Sequence, residues 1–163
     1  MCLTRGFVLL LLLIQPNLTH PTTQLASSSS DGTVRLWEAG GVRSTRVFSH
    51  DGHPVNALKW SPIEPKVTSC GNDKQCQMWD VESGARVWSM RHHARCIQLD
   101  YTPCGALLAC ADELGVRLWS TRSGIMIKEY ALGHTSDLKF SPNGRTLAIG
   151  MNDGHTSLID LRK

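Results

Sequence analysis

Three tryptophans recur along this chain at nearly equal intervals. Trp37, Trp79 and Trp119 stand 42 and 40 residues apart, and another 40 residues reaches Ile159. A fixed period of this length marks stacked supersecondary units, because one such unit cannot bury its apolar faces alone. Six residues before each marker stands an acidic residue: Asp31, Asp73, Glu113 and Asp153. The segments DGTVRLWE, DKQCQMWD, ELGVRLWS and DGHTSLID each leave a turn and then roughly alternate apolar with polar residues. That is the pattern of a strand emerging from a hairpin.

Two further registers share the period. His53, His93 and His134 are 40 and 41 residues apart, with Gly52 and Gly133 preceding two of them and His92 in the middle copy. Turn sequences recur as Ser61-Pro62, Thr102-Pro103-Cys104-Gly105 and Ser141-Pro142-Asn143-Gly144, and Thr19-His20-Pro21 occupies the same slot in the earliest copy. Pro at the second turn position and Gly near the end suit tight turns. The spacing predicts strands near 24–28, 33–37, 43–48, 55–60, 66–70, 75–79, 85–89, 95–101, 106–110, 115–119, 125–129, 136–140, 145–150 and 155–159. The composition is globular, with 41% hydrophobic and 19% charged residues, which excludes a mainly disordered or collagen-like chain. A net charge of +3 is too weak to point to a nucleic-acid partner.

The Gly-His and Trp-Asp pairs and the 40-residue period resemble the WD-repeat family of β-propellers over roughly residues 18–163, most completely from His53 to Asp80. The resemblance implies an all-β fold: an incomplete propeller of four-stranded antiparallel blades, two whole and two partial. It also implies a buried hydrogen-bond chain in each blade, from a Trp indole through Ser and His to Asp. In the best copy these are Trp79, Ser69, His53 and Asp73. The other copies contribute Trp37 and Asp31, Trp119 and His93, and His134 and Asp153. Ala109 and Glu113 replace Ser and Asp in the third copy, and Ile149 and Ile159 replace Ser and Trp in the fourth.

A Ser, a His and an Asp together invite a hydrolase reading. No Gly-x-Ser-x-Gly elbow surrounds Ser69. The His and acidic positions recur with the repeat, whereas a catalytic set occurs once. The residues are therefore expected to brace a scaffold. No phosphate loop, dinucleotide fingerprint or His-Glu-x-x-His occurs, so no enzyme activity and no cofactor is expected. The six Cys form no Cys-x-x-Cys pair. His92, His93 and Cys96 are close in sequence, but no second Cys/His cluster has ligand spacing, so no metal is expected.

Residues 7–14 form an apolar run preceded by Arg5, too short to span a membrane. The 1–17 segment reads as joined on to the repeats, its apolar run supplying a strand to the first blade and the chain being a piece of a longer cytoplasmic protein. The alternative is a signal peptide on a secreted or lumenal protein, with Asn17 as a glycan acceptor. The function implied by the resemblance is a non-catalytic scaffold for other proteins. Residues 136–144 are similar to repeats of cytoskeletal and ciliary members. Open blade edges are expected to favour oligomers.

Overall fold

The computed structural model describes residues 8–11, 24–38 and 43–162. Every regular element among them is a β-strand. The first sheet is Val8–Leu11 (β1), Gln24–Ser29 (β2), Thr33–Glu38 (β3) and Ser44–Ser49 (β4). The second is Val55–Trp60 (β5), Lys66–Gly71 (β6), Gln75–Asp80 (β7) and Arg86–Arg91 (β8). The third is Cys96–Tyr101 (β9), Leu107–Asp112 (β10), Gly115–Ser120 (β11) and Met126–Ala131 (β12). The fourth is Thr135–Phe140 (β13), Thr146–Met151 (β14) and Thr156–Asp160 (β15). Each sheet is an antiparallel meander in chain order, as in a propeller blade.

The first blade is more complete than the repeat pattern suggests. Its innermost strand comes from the apolar run, with Val8 opposite Ser29 and Leu11 opposite Ala26. Among the described residues, three blades thus have four strands and the fourth has three. No described helix is long and apolar enough to cross a membrane. Asn17 and the Thr19-His20-Pro21 slot lie outside the described residues.

Strand patterning follows each strand's place in its blade. In β3, Val34 and Leu36 are buried while Arg35 between them is only partly so. In β6 both faces are covered and Val67 through Gly71 are all buried. The outer β12 is mostly exposed. Turns close the hairpins through the expected residues: Gly105 N donates to Thr102 O at 2.8 Å, and Gly144 N to Ser141 O at 2.8 Å.

The core lies in three seams between blades. Between the first and second, Phe48 stacks on Trp79 with ring centroids 4.9 Å apart, beside Leu36, Leu58, Trp60 and Val67. Between the second and third, Met78, Met90, Leu99, Tyr101, Leu108 and Trp119 pack around four cysteines. Ala109, Leu118, Leu138, Phe140, Leu147 and Ile149 fill the last seam. Buried Asp100 also crosses blades: Lys139 Nζ lies 3.0 Å and Lys59 Nζ 3.6 Å from its Oδ1, and Phe140 N donates to Oδ2 at 2.9 Å. Paired on both sides, this carboxylate ties the inner strands of three blades.

Candidate functional site

The second blade brings Trp79, Ser69 and Asp73 together with a histidine that the spacing did not single out. Trp79 Nε1, on β7, donates to Ser69 Oγ on β6 at 3.1 Å. Ser69 Oγ lies 2.7 Å from His50 Nε2, and His50 Nδ1 lies 2.8 Å from Asp73 Oδ2 in the β6–β7 turn. A carboxylate only accepts, so Nδ1 carries the imidazole proton, Nε2 accepts from the Ser69 hydroxyl, and that oxygen accepts from the indole. Gln77 Nε2 donates to the same Asp73 oxygen at 3.0 Å, and Arg86 Nη1 to Gln77 Oε1 at 3.2 Å. Burial works to raise the Asp73 pKa, but the hydrogen bonds from His50, the Gln75 backbone and Gln77 outweigh it and hold the carboxyl below its usual 3.8. His50 and Ser69 have no solvent exposure, so a substrate does not reach the hydroxyl.

His53, three residues further on, is exposed, and its backbone N donates to His50 O at 2.9 Å. It is not in the chain. A shared 40-residue spacing counts residues, whereas reach into the blade is set by the loop from β4 to β5. That loop turns outward at Asp51 and Gly52, with φ of 50° and 78°, immediately after His50.

The third blade departs from the pattern in a way that only the strand register reveals. Cys110 lies opposite Arg117, as Ser69 lies opposite Gln77 and Ser27 opposite Arg35. The serine's place is therefore taken by Cys110. Ala109 belongs to the opposite face and packs toward the fourth blade. The buried histidine is His92, while His93 is exposed. Its acidic partner is Asp112, whose Oδ2 lies 3.2 Å from His92 Nδ1. Glu113 instead pairs at the surface with Arg95 at 2.7 Å. The hairpin joining β10 to β11 is one residue shorter than its counterpart, which shifts the acid by one position. This tight path needs Gly115, where φ is 151° and a Cβ would sit 2.0 Å from Tyr130 O.

The substitution of sulfur for oxygen leaves a mark. His92 Nε2 and Trp119 Nε1 are buried without a hydrogen-bond partner. They are the counterparts of the two atoms that Ser69 serves in the second blade. Arg117 is drawn in beside them, donating to Asp112 Oδ2 through Nη1 and to Glu129 Oε1 through Nη2 at 2.5 Å. Burial opposes the charged form of His92, yet Cys110 and Asp112 raise its pKa to about 9.

The outer copies are simpler. Trp37 Nε1 donates to Ser27 Oγ at 3.0 Å. Asp31 is exposed and caps its own turn, accepting from Thr33 N at 2.9 Å. In the fourth blade Ile149 and Ile159 face each other's neighbours in the Ser and Trp positions, and Ile149 is fully buried. His134 and Asp153 are both exposed there and line one shallow hollow of about 570 Å³ with Leu132, Gly133, Met151 and Asn152. They do not form a braced chain.

The fold also gathers a cluster that the sequence does not advertise. Cys70 and Cys76 are cross-strand partners on β6 and β7, and Cys96 and Cys110 face them from β9 and β10. All four are buried and free. One ring nitrogen of His92 and the Sγ atoms of Cys96 and Cys110 lie within 4.8 Å of one another. Their sequence separations resemble no zinc-finger spacing, because the residues come from separate strands of two blades. The visible clue was the recurrence of Cys at strand positions that share a face.

Four-stranded meanders packed face to face, with a polar chain pinning a turn to the inner strands, define this chain as a repeat-built propeller scaffold. The family model for the WD domain, G-beta repeat, matches residues 16–38, 43–80 and 127–160, and the chain belongs to the WD40 family. The matched stretches omit the β9–β11 part of the third blade, where the polar chain is rebuilt around Cys110. The chain is 28% identical over 129 residues to the F-box-like/WD repeat-containing protein TBL1X of Mus musculus, covering 77% of this chain and 24% of that protein. It is 26% identical over 153 residues to the WD repeat-containing protein WDS homolog of Arabidopsis thaliana, covering 84% and 28%. It is 27% identical over 149 residues to the small ribosomal subunit protein RACK1y of Oryza sativa subsp. japonica, covering 85% and 44%. The chain thus spans from 24% to 44% of the length of these relatives.

Proposed function

We propose that this chain is a non-catalytic platform for binding other proteins, working in a reducing, cytoplasmic setting. The observation that carries the reading is the fate of its polar residues. Ser69, His50, Asp73 and Trp79 satisfy one another inside the blade and present no reactive atom to solvent. Family membership supports the same reading, although fold alone does not fix function. Five free cysteines among the described residues suit a reducing compartment. A parent protein of cytoskeletal or ciliary type is the finer reading, resting on residues 136–144.

The surface offers apolar contact where a scaffold needs it. Ile125, Met126 and Ile127 at the outer edge of the third blade are 66%, 44% and 56% exposed, and Leu158 on β15 is 71% exposed. Unpaired strand edges beside such residues favour association with a further β-element, a second copy of the chain included. The test is a display selection of peptides against the folded full chain, followed by titration of purified ligands. Saturable binding that Ile125→Lys or Leu158→Lys weakens, with no turnover of generic ester substrates, is the expected result. Ester cleavage that disappears in Ser69→Ala overturns the reading.

A further inference from the structure

We propose that His92 and the thiols of Cys70, Cys96 and Cys110 bind one Zn²⁺ in the seam between the second and third blades. The first observation is the donor set. Three ligand atoms, from His92, Cys96 and Cys110, already lie within 4.8 Å of one another. Cys70, buried in the same cluster on β6 but outside that group of three, completes a Cys₃His set, one of the ordinary structural zinc combinations, by moving in toward Cys96 and Cys110. Cys76, the cross-strand partner of Cys70 on β7, remains outside the set. Zn–S and Zn–N bonds of about 2.3 and 2.0 Å place tetrahedral donors roughly 3.5–3.8 Å apart, so the group of three closes by at most about 1 Å on binding and Cys70 moves further.

The second observation is independent of the thiols. His92 Nε2 is fully buried and lacks a hydrogen-bond partner. Its Nδ1 lies 3.2 Å from Asp112 Oδ2. A metal-bound imidazole typically has its other nitrogen donating to a carboxylate, which fixes the tautomer and leaves a lone pair on the liganding atom. Arg117 Nη1 also comes within 3.1 Å of Nδ1. A guanidinium only donates, so that contact is a hydrogen bond only while Nδ1 accepts; with Nε2 on the metal, Nδ1 carries the proton and donates to Asp112 instead. Three thiolates and one Zn²⁺ carry a net charge of −1, and the Arg117 guanidinium, shared between Asp112 and Glu129, is the cation beside the site. Binding displaces the protons of the thiols and of His92 Nε2.

The ion would join β6 of one blade to β9 and β10 of the next. It also gives Cys110 a reason to stand where the first and second blades carry Ser27 and Ser69. A hydroxyl there would close the polar chain, whereas a thiolate is the better zinc ligand.

The test uses the full chain, expressed with zinc in the medium and purified reduced without chelator. Elemental analysis of the wild type and of Cys104→Ser, whose thiol is exposed and outside the cluster, is expected to give about one zinc per chain. Cys110→Ser is expected to lose at least about tenfold of that zinc while keeping its far-ultraviolet dichroism, because the new hydroxyl can serve His92 and Trp119. Cobalt(II) is expected to produce a thiolate charge-transfer band in the wild type and not in Cys110→Ser. Cys96→Ala provides the same comparison if Cys110→Ser does not fold. Chelation should lower the wild-type Tm and leave the Tm of the zinc-free variant unmoved. Folded wild type with less than about a tenth of an equivalent of zinc overturns the proposal. So does zinc retained in both variants, or a disulfide from Cys110 to one of its three thiol neighbours.

Discussion

In the second blade a serine hydroxyl sits between an indole and an imidazole, and every member of the polar chain has a partner. In the third blade a thiol holds the same ladder position, and the matching indole and imidazole nitrogens are left without one. The surrounding polar groups differ accordingly. Gln77 makes neutral bonds to Asp73, whereas Arg117 brings a buried positive charge against Asp112. One blade is therefore closed, its carboxylate held by imidazole and amide donors, and its neighbour is thiol-rich, held by a buried guanidinium and incomplete in hydrogen bonds. The contrast shows that a repeat can keep its strand plan while its interior is given over to different chemistry.

The widest gap between the blades is expected from their acids. Asp112→Ala leaves the Arg117 guanidinium, whose side chain is 4% exposed, with only the partly exposed Glu129 as counter-charge. A loss of about 4 kcal/mol is expected in denaturant unfolding, in the range for breaking a buried ion pair. Asp73→Ala strands His50 Nδ1 and Gln77 Nε2, and a smaller loss of about 2 kcal/mol is expected, since neutral donors are cheaper to orphan than a cation. Equal losses at the two sites would erase the distinction between a carboxylate held by neutral donors and one held by a buried cation.

The same acid supplies a pH dependence of known sign. Its folded-state pKa lies below the unfolded value of 3.8. Its contribution is therefore full above that value and is lost as pH falls through the folded pKa. Melting curves should show wild-type stability declining below about pH 4, with a shallower decline in Asp73→Asn.

A paired substitution tests the register. In chelator-treated protein, Cys110→Ser should stabilise by about 1 kcal/mol, because a hydroxyl can join His92 and Trp119 as Ser69 joins His50 and Trp79. Ala109→Ser should instead cost about 1–2 kcal/mol, since it buries a hydroxyl in the apolar seam with the fourth blade. The reverse outcome would put Ala109, not Cys110, in the serine's place. The smallest effect belongs to Glu113→Gln. The surface pair with Arg95 is worth less than about 0.5 kcal/mol, and calorimetry should barely register its loss.

Much of the architecture was legible before any coordinates. The tryptophan period, the Asp-led hairpins and the Ser-Pro and Pro-x-Gly turns placed nearly every strand, because each depends on neighbours close in sequence. Trp79, Ser69 and Asp73 were legible too, lying within one hairpin. The histidines were not. His50 and His53, or His92 and His93, satisfy a 40-residue spacing about equally well, and only the path of the connecting loop decides which ring enters the blade. Counting back from Trp119 lands on Ala109 and not on Cys110, because the β10–β11 hairpin is one residue shorter and the spacing to the tryptophan does not show it.

What this sequence determined by itself is its repeated strand-and-turn grammar, since period-two alternation and turn residues act over a few bonds. The tertiary structure alone decided the register that sets Val8–Leu11 against Ala26–Ser29, that His50 and His92 are the buried imidazoles, and that four cysteines from two blades share one seam. Those outcomes depend on register and on contacts between residues far apart in the chain. They follow from packing one blade on the next, which no local pattern encodes.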